Sequence, residues 1–147
     1  MDTEKEKEQK KSETHDEILL AALKLFTDKG YFNTSLADIK DEAGVKTTST
    51  IYQHFKNKQA IAEELYHYIL NSLSCSIDDI RRTSKNPSEQ LREIVNLMFG
   101  LAEEAPEIMY LLLKRNHAEL LTDVKPIMET APFEKIIKIV QSGIKAK

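Results

Sequence analysis

From residue 14 onward the apolar positions of this chain recur with the spacing of helices. Ile18, Ala22, Leu25 and Phe26 fall at i, i+4, i+7 and i+8 within THDEILLAALKLFTDKG. Leu19 and Leu23 widen the stripe, as in a helix packed on more than one side. Thr14 is placed to cap this helix, Asp16 and Glu17 sit in its first turn, and Gly30 after Lys29 is a stop. A short element follows. Ser35 with Asp38 three residues on has the form of a capping box, Leu36, Ile39 and Ala43 share a face, and Gly44 ends it. After Val45 the run KTTST offers several N-caps, and Ile51, Tyr52 and Phe55 form the next apolar face. Helix, tight glycine turn and helix over residues 35–55 are the pattern of a helix-turn-helix.

The same spacing continues to the end. Asn57 caps a long helix from Lys58 to about Arg82, with a seam of Ile61, Leu65, Ile69, Leu73, Ile77 and Ile80. Arg81 and Arg82 close it where the helix dipole favours cations. TSKNPS is a linker, and Pro87 suits the first position of a fifth helix seamed by Leu91, Ile94, Val95, Met98 and Leu101. Pro106 opens a sixth with Ile108, Met109, Leu112 and Leu113. A loop with Pro126 and Pro132 leads to a last helix marked by Phe133, Ile136, Ile137, Val140 and Ile144. Residues 1–13 alternate acids with lysines and carry no apolar seam, so a disordered arm is expected there. With only four Gly and four Pro, the expected fold class is all-α: a three-helix helix-turn-helix domain over 14–60 and a helical domain over 61–147.

Composition changes this picture in a few places. A net charge of −3 argues against a uniformly basic coat but leaves room for a local basic patch. The single cysteine, Cys75, excludes an internal disulfide, fits a reducing cytoplasm, and is expected as buried packing. The opening MDTEKEKEQKKSE does not have the form of a signal peptide, and no window approaches a membrane span. No glycine-rich phosphate loop, CxxC, HExxH or serine-nucleophile motif occurs, which argues against an enzyme. His67 has Glu63 and Asn71 one turn away, but no second His or Cys at ligand spacing, so neither metal nor cofactor is expected.

The charge pattern around the helix-turn-helix points to double-stranded DNA. Between Glu42 and Glu63 there is no acidic residue, while Lys46, Lys56, Lys58 and His54 fall inside that window. Thr34 and Ser35 stand at a helix N-terminus, whose free N–H groups attract anions; they are either phosphate contacts or caps alone. Thr47, Thr48, Ser49 and Thr50 lie at the entering end of the recognition helix and can bond phosphates or base edges. No arginine falls in this helix, which leaves Lys46 as the long reader toward guanine. Lys56 is either a phosphate contact or a solvated charge. Lys5, Lys7, Lys10 and Lys11 could touch the DNA backbone, but interleaved Glu4, Glu6 and Glu8 favour a solvated tail.

The ordered set Ala22, Phe26, Gly30–Tyr31, Thr34–Ser35, Ile39, Ala43–Gly44–Val45, Ile51–Tyr52–Gln53–His54–Phe55 and Lys56–Asn57–Lys58 resembles the TetR/AcrR family of regulators. The resemblance covers Ile18 to Ala60; beyond it only the helical layout is similar. It implies a transcription regulator, most often a repressor, released from its operator by a small-molecule effector. The alternative is a helical protein-interaction module without DNA binding. The resemblance further implies that Tyr52 offers its hydroxyl to a phosphate, against the simpler reading of a half-buried core tyrosine, and that Lys58 makes an ionic phosphate contact. Its helical domain would bind the effector, and Tyr66, Met98, Met109 and Tyr110 are candidate walls for a small apolar ligand. From Gly44 to Tyr52 this chain has one residue more than the usual family pattern, within KTTST, which leaves open which hydroxyl faces which base. Family members form homodimers through two further C-terminal helices. The seam from Phe133 to Ile144 resembles the helix before that pair, so the expectation is an incomplete second domain, either a fragment or a chain whose dimer is built differently, with poor dimerisation or a reduced dimer surface and with Ile136, Val140 and Ile144 exposed.

Overall fold

Local chemistry accounts for where most helices begin and end. A computed structural model describes residues 2–106, 108–109 and 129–146, and among them the structure is all-α, without strands. Among the described residues the helices are α1 (Asp2–Asp28), α2 (Leu36–Ala43), α3 (Thr48–His54), α4 (Lys58–Thr83), α5 (Pro87–Glu104) and α6 (Ala131–Lys145), with helical backbone also at Pro106, Ile108 and Met109. The expected capping box forms: Asp38 N–H donates to Ser35 Oγ at 3.1 Å, and Ser35 N–H to Asp38 Oδ2 at 2.8 Å. Gly44 closes α2 at φ +72°, a left-handed conformation that costs a side-chain-bearing residue about 1–2 kcal/mol. Its N–H reaches Asp41 O at 3.3 Å, and that of Val45 reaches Lys40 O at 3.2 Å, so the last carbonyls of α2 are satisfied. Asn57 caps α4, accepting from Ala60 N–H at 2.8 Å. Asn86 caps α5 the same way, accepting from Ser88 N–H at 3.0 Å with Pro87 at the first helical position.

The N-terminal end departs from expectation. Residues 2–13 are not a disordered arm; they are the first turns of α1, with the side chains of 3–13 exposed. Thr14 is not a cap but a mid-helix residue whose hydroxyl donates back to Lys10 O at 2.9 Å, and Asp16 and Glu17 are likewise interior. Glu, Lys and Gln are strong helix formers, and adding residues to a helix already nucleated by a packed segment avoids a second nucleation cost. An apolar seam is needed to pack a helix, not to extend one.

The chain divides into two compact units, Met1–Leu65 and Tyr66–Lys147. In the first, α1 packs on α2 and α2 on α3. Ile18, Ala22 and Phe26 of α1, Ile39 of α2, Ile51 and the adjacent Phe55 at the end of α3, and Ile61 and Leu65 of α4 are buried. Burying each isoleucine contributes about 1.5–3 kcal/mol. The break falls past the residue 60 expected from sequence because α4 runs on without interruption and its Ile61 and Leu65 belong to the first unit.

In the second unit Ile77 of α4, Ile94 of α5 and Ile139 of α6 form the core, with Ile80, Leu91 and Ile136 packed around it. Lys135 of α6 donates to Ser74 Oγ at 2.6 Å and Asp78 Oδ2 at 2.7 Å on α4. This pairing holds the Asp78 carboxyl below its usual range. Cys75, expected inside, is exposed. It lies two residues from both Leu73 and Ile77, about 200° around the helix from each, so their burial turns it outward. Pro132 is not in a loop but in the first turn of α6, and buried. Val95 and Phe99 of α5 and Val140 and Ile144 of α6 are exposed, while Ile136 is partly covered. Leu112, Leu113 and Pro126 lie outside the described residues. Among those described, no helix is long and apolar enough to cross a membrane.

Candidate nucleic-acid interface

Helix α3 is seven residues long and held by one fully buried side chain, Ile51. Turning outward from it are Ser49, Tyr52 and Gln53, at i, i+3 and i+4, which share a face. Tyr52 is 58% exposed, so it is not a core tyrosine; its hydroxyl is open to a partner. Thr47 is the N-cap residue, and its side chain bonds no backbone N–H. It stands 3.5 Å from the Thr50 hydroxyl instead. Lys46 and Thr47 therefore precede the helix, which starts at Thr48. Thr48 and Thr50 are half-buried; Lys46 before the helix and Lys56 after it are exposed. The result is a short helix with hydroxyl, phenol and amide groups on its outer face and a cation beyond each end.

Gln53 was not assigned a role from sequence, although the spacing was available: it follows Ser49 by four residues on the exposed face. A glutamine can contact adenine through two hydrogen bonds in the major groove.

Two other expected contacts are used up inside the protein. Thr34 is 1% exposed, and its hydroxyl donates to Gly30 O at 2.7 Å. It braces the turn between α1 and α2 and is closed to phosphate. Lys58 points into the same turn. Its ammonium donates to Tyr31 O at 2.8 Å and Thr34 O at 2.9 Å, and lies 4.2 Å from the centre of the Tyr31 ring. Burial pushes its pKa below the usual lysine value. Two of its three N–H donors thus hold carbonyls of the loop that presents α2. Ser35, next in the chain, remains exposed at the start of α2. Asp38 carries a second load there, accepting from Lys29 Nζ at 2.8 Å. The lysine bond and the Ser35 bonds together lower its pKa to about 2.

His54, counted with the cationic window, faces inward. Its Nδ1 is 3.3 Å from His15 Nδ1 on α1. Burial first, then the nearby His15 and Lys11, hold its pKa below the ordinary histidine value, so it adds no charge to the interface at neutral pH. His15 was missed in the sequence because its partners are 39 and 49 residues away.

In the second unit none of the described candidate ligand walls lines the cavity between α4 and α5. Tyr66 is buried, Met98 and Met109 are half-buried, and Tyr110 lies outside the described residues. That cavity, of about 110 Å³, is lined instead by Tyr68, Ile69 and Leu73 of α4, Leu97 and Leu101 of α5, and Ile108. It is smaller than the roughly 300–1,000 Å³ of common small-molecule sites. Tyr66 and Tyr68 are two residues apart and so point to opposite sides of α4. Aromatic content suggested a ligand wall without indicating the side.

Comparison with known proteins converges on this headpiece. Residues 18–65 match the family model described as bacterial regulatory proteins, tetR family. The chain is 32% identical over 136 residues to the HTH-type transcriptional repressor KstR2 of Mycolicibacterium smegmatis, covering 88% of this chain. It is 25% identical over 142 residues to the HTH-type transcriptional activator FasR of the same organism, covering 92% of this chain. It spans 64% of the length of each of these relatives. The crystal structure of a TetR family transcription regulator from Marinobacter aquaeolei superposes with a TM-score of 0.80 at 19% identity, over 95% of this chain and 72% of that one. The matched segment runs from the first core residue of α1 through Leu65 of α4, so residues 18–65 are a headpiece of the tetR family of bacterial regulatory proteins, and the helices beyond it are similar in fold to regulators of the same group.

Proposed function

We propose that the protein is a DNA-binding transcription regulator, acting as a repressor, whose α3 enters the major groove of duplex DNA. The observation that carries this is the outer face of α3. Ser49, Tyr52 and Gln53 stand together there, flanked by exposed Lys46 and Lys56, in a stretch without acidic residues. A seven-residue helix fits a groove about 12 Å wide, with phosphates on both sides. Tyr52, Lys56 and Ser35 with the free N–H groups of α2 position the protein on phosphates; Lys46, Thr47, Thr48, Ser49, Thr50 and Gln53 supply base contacts. The match to a repressor supports the sign, against the activator that is also similar.

Binding to twofold operators requires two headpieces about 34–36 Å apart, and a homodimer provides them. Release by a small apolar effector requires that the effector prefer the non-binding form; a 100-fold loss of DNA affinity corresponds to about 2.7 kcal/mol of coupling.

Selection of bound duplexes from a random pool, followed by salt titration of the selected site, tests the proposal. The expected result is a twofold motif with a linear fall of log affinity with log salt. Alanine at Thr47, Thr48, Ser49 and Gln53 in turn should alter the selected motif, at about 1–3 kcal/mol per lost base contact. A motif unchanged in all four variants would remove α3 as the reader, and absence of salt-dependent binding would remove the function.

A further inference from the structure

One imidazole joins three helices of the headpiece. His15 of α1 stacks on Phe55 at the end of α3, with ring centres 4.5 Å apart and planes at 23°. Its Nε2 hydrogen-bonds Glu64 Oε1 of α4. Its Nδ1 faces His54 Nδ1 at the last residue of α3, 3.3 Å away. Nothing in the DNA-contact assignment uses this cluster.

The hydrogen positions follow from the partners. An ionised carboxylate only accepts, so the Nε2 of His15 carries a hydrogen. A neutral His15 then has a lone pair on Nδ1, and His54 Nδ1–H donates to it. One added proton is tolerated. It goes to His15 Nδ1, the hydrogen on His54 moves to Nε2, and His54 Nδ1 becomes the acceptor. The single positive charge lies beside Glu64. A second proton has no place: two N–H groups would meet head-on at 3.3 Å, between two cations, with Lys11 of α1 adding to the repulsion. The charged groups facing His54 are thus His15 and Lys11 from α1, with Glu64 of α4 acting through His15.

We propose that His15, His54 and Glu64 form a proton-operated latch on the C-terminal end of α3, closed with no or one proton and opened by the second. Opening frees the end of the helix two residues after Tyr52, and DNA affinity falls. This rests on the DNA-binding reading above for its consequence but not for its mechanism. The direction is distinctive. Protonation adds positive charge, and electrostatics alone would raise affinity for DNA in acid; the latch lowers it. The depressed His54 pKa also makes the closed headpiece less stable as pH falls below the ordinary histidine value, because the unfolded chain then binds more protons.

Nitrogen-detected NMR of the whole chain, without DNA, reads the latch directly. Near pH 7.5 it should report the Nε2–H tautomer of His15 and the Nδ1–H tautomer of His54, and on acidification two separate proton uptakes with the His54 tautomer changing at the first. DNA affinity at constant ionic strength should fall toward about pH 5, by up to about tenfold per pH unit below the second uptake. His54→Asn, which cannot take the proton, should lose that fall. Independent titration of the two histidines, or the opposite His54 tautomer near pH 7.5, would overturn the latch whether or not DNA binds. So would an affinity that rises in acid. A chain that shows the tautomers and paired uptakes but binds no DNA would keep the latch and overturn the function.

Discussion

Replacing Lys58 by methionine separates two jobs that a lysine in this position can do. In the structure its ammonium holds the carbonyls of Tyr31 and Thr34 at 2.8 and 2.9 Å and sits over the Tyr31 ring. Hydrogen bonds from charged donors contribute about 1.5–3 kcal/mol each when shielded, and a cation over an exposed ring about 0.5–1 kcal/mol. Lys58 is only partly buried, so water can take over part of each bond on substitution. The low end of the range applies, and the loss comes to about 2 kcal/mol. Methionine keeps the stem and its packing, so this figure contains little cavity cost. For a unit of this size it corresponds to a fall in Tm on the order of 10 °C. Thermal unfolding followed by circular dichroism measures it. A salt titration of DNA binding tests the other job, because each neutralised phosphate contributes about 0.9 to the slope of log affinity against log salt. Lys58→Met should leave that slope unchanged even if the affinity drops through a loosened α2. A variant of unaltered stability whose slope falls by nearly one would refute the reasoning and make Lys58 a phosphate ligand.

The capping residues give two further outcomes. The Asp38 carboxyl, lowered to about 2 mainly by Lys29, stabilises the folded headpiece above the unfolded carboxylate value. Its contribution should disappear as pH falls from about 4 toward 2, and Asp38→Asn should flatten urea-unfolding free energies over that interval; an equally steep profile in the variant would assign the acid sensitivity to other groups. At Gly44 an added Cβ meets no atom within 4 Å, so Gly44→Ala should cost only the left-handed backbone penalty, about 1–2 kcal/mol. A denaturation midpoint showing a much larger loss would mean that the turn between α2 and α3 tolerates no adjustment.

The parts of this fold legible in the sequence are those decided by neighbours along the chain. Ser35 with Asp38, Gly44, Asn57 and Asn86–Pro87 act on backbone groups within a few residues of themselves, so spacing alone located the ends of α2, α4 and α5. The apolar stripes likewise showed that Ile18, Ile39, Ile51 and Ile61 are core, since a helix with one apolar face must bury it. Local signals misplaced the start of α1, because a polar stretch of good helix formers follows a neighbouring helix without a cap of its own. What the tertiary structure decided was the use of polar side chains. Thr34, Lys58 and His54 have the chemistry to meet phosphate, and sequence pattern put them in the right window. Each turns inward because another element supplies a partner: α1 and its following turn offer carbonyls to Thr34 and Lys58, and His15 offers a nitrogen to His54. Partners 24 to 39 residues away leave no mark on local spacing, apart from the hydroxyl of Thr34, whose acceptor is four residues back. The outer face of α3 is the complement of that choice: with Ile51 buried and His54 held by α1, Ser49, Tyr52 and Gln53 are the side chains left facing out.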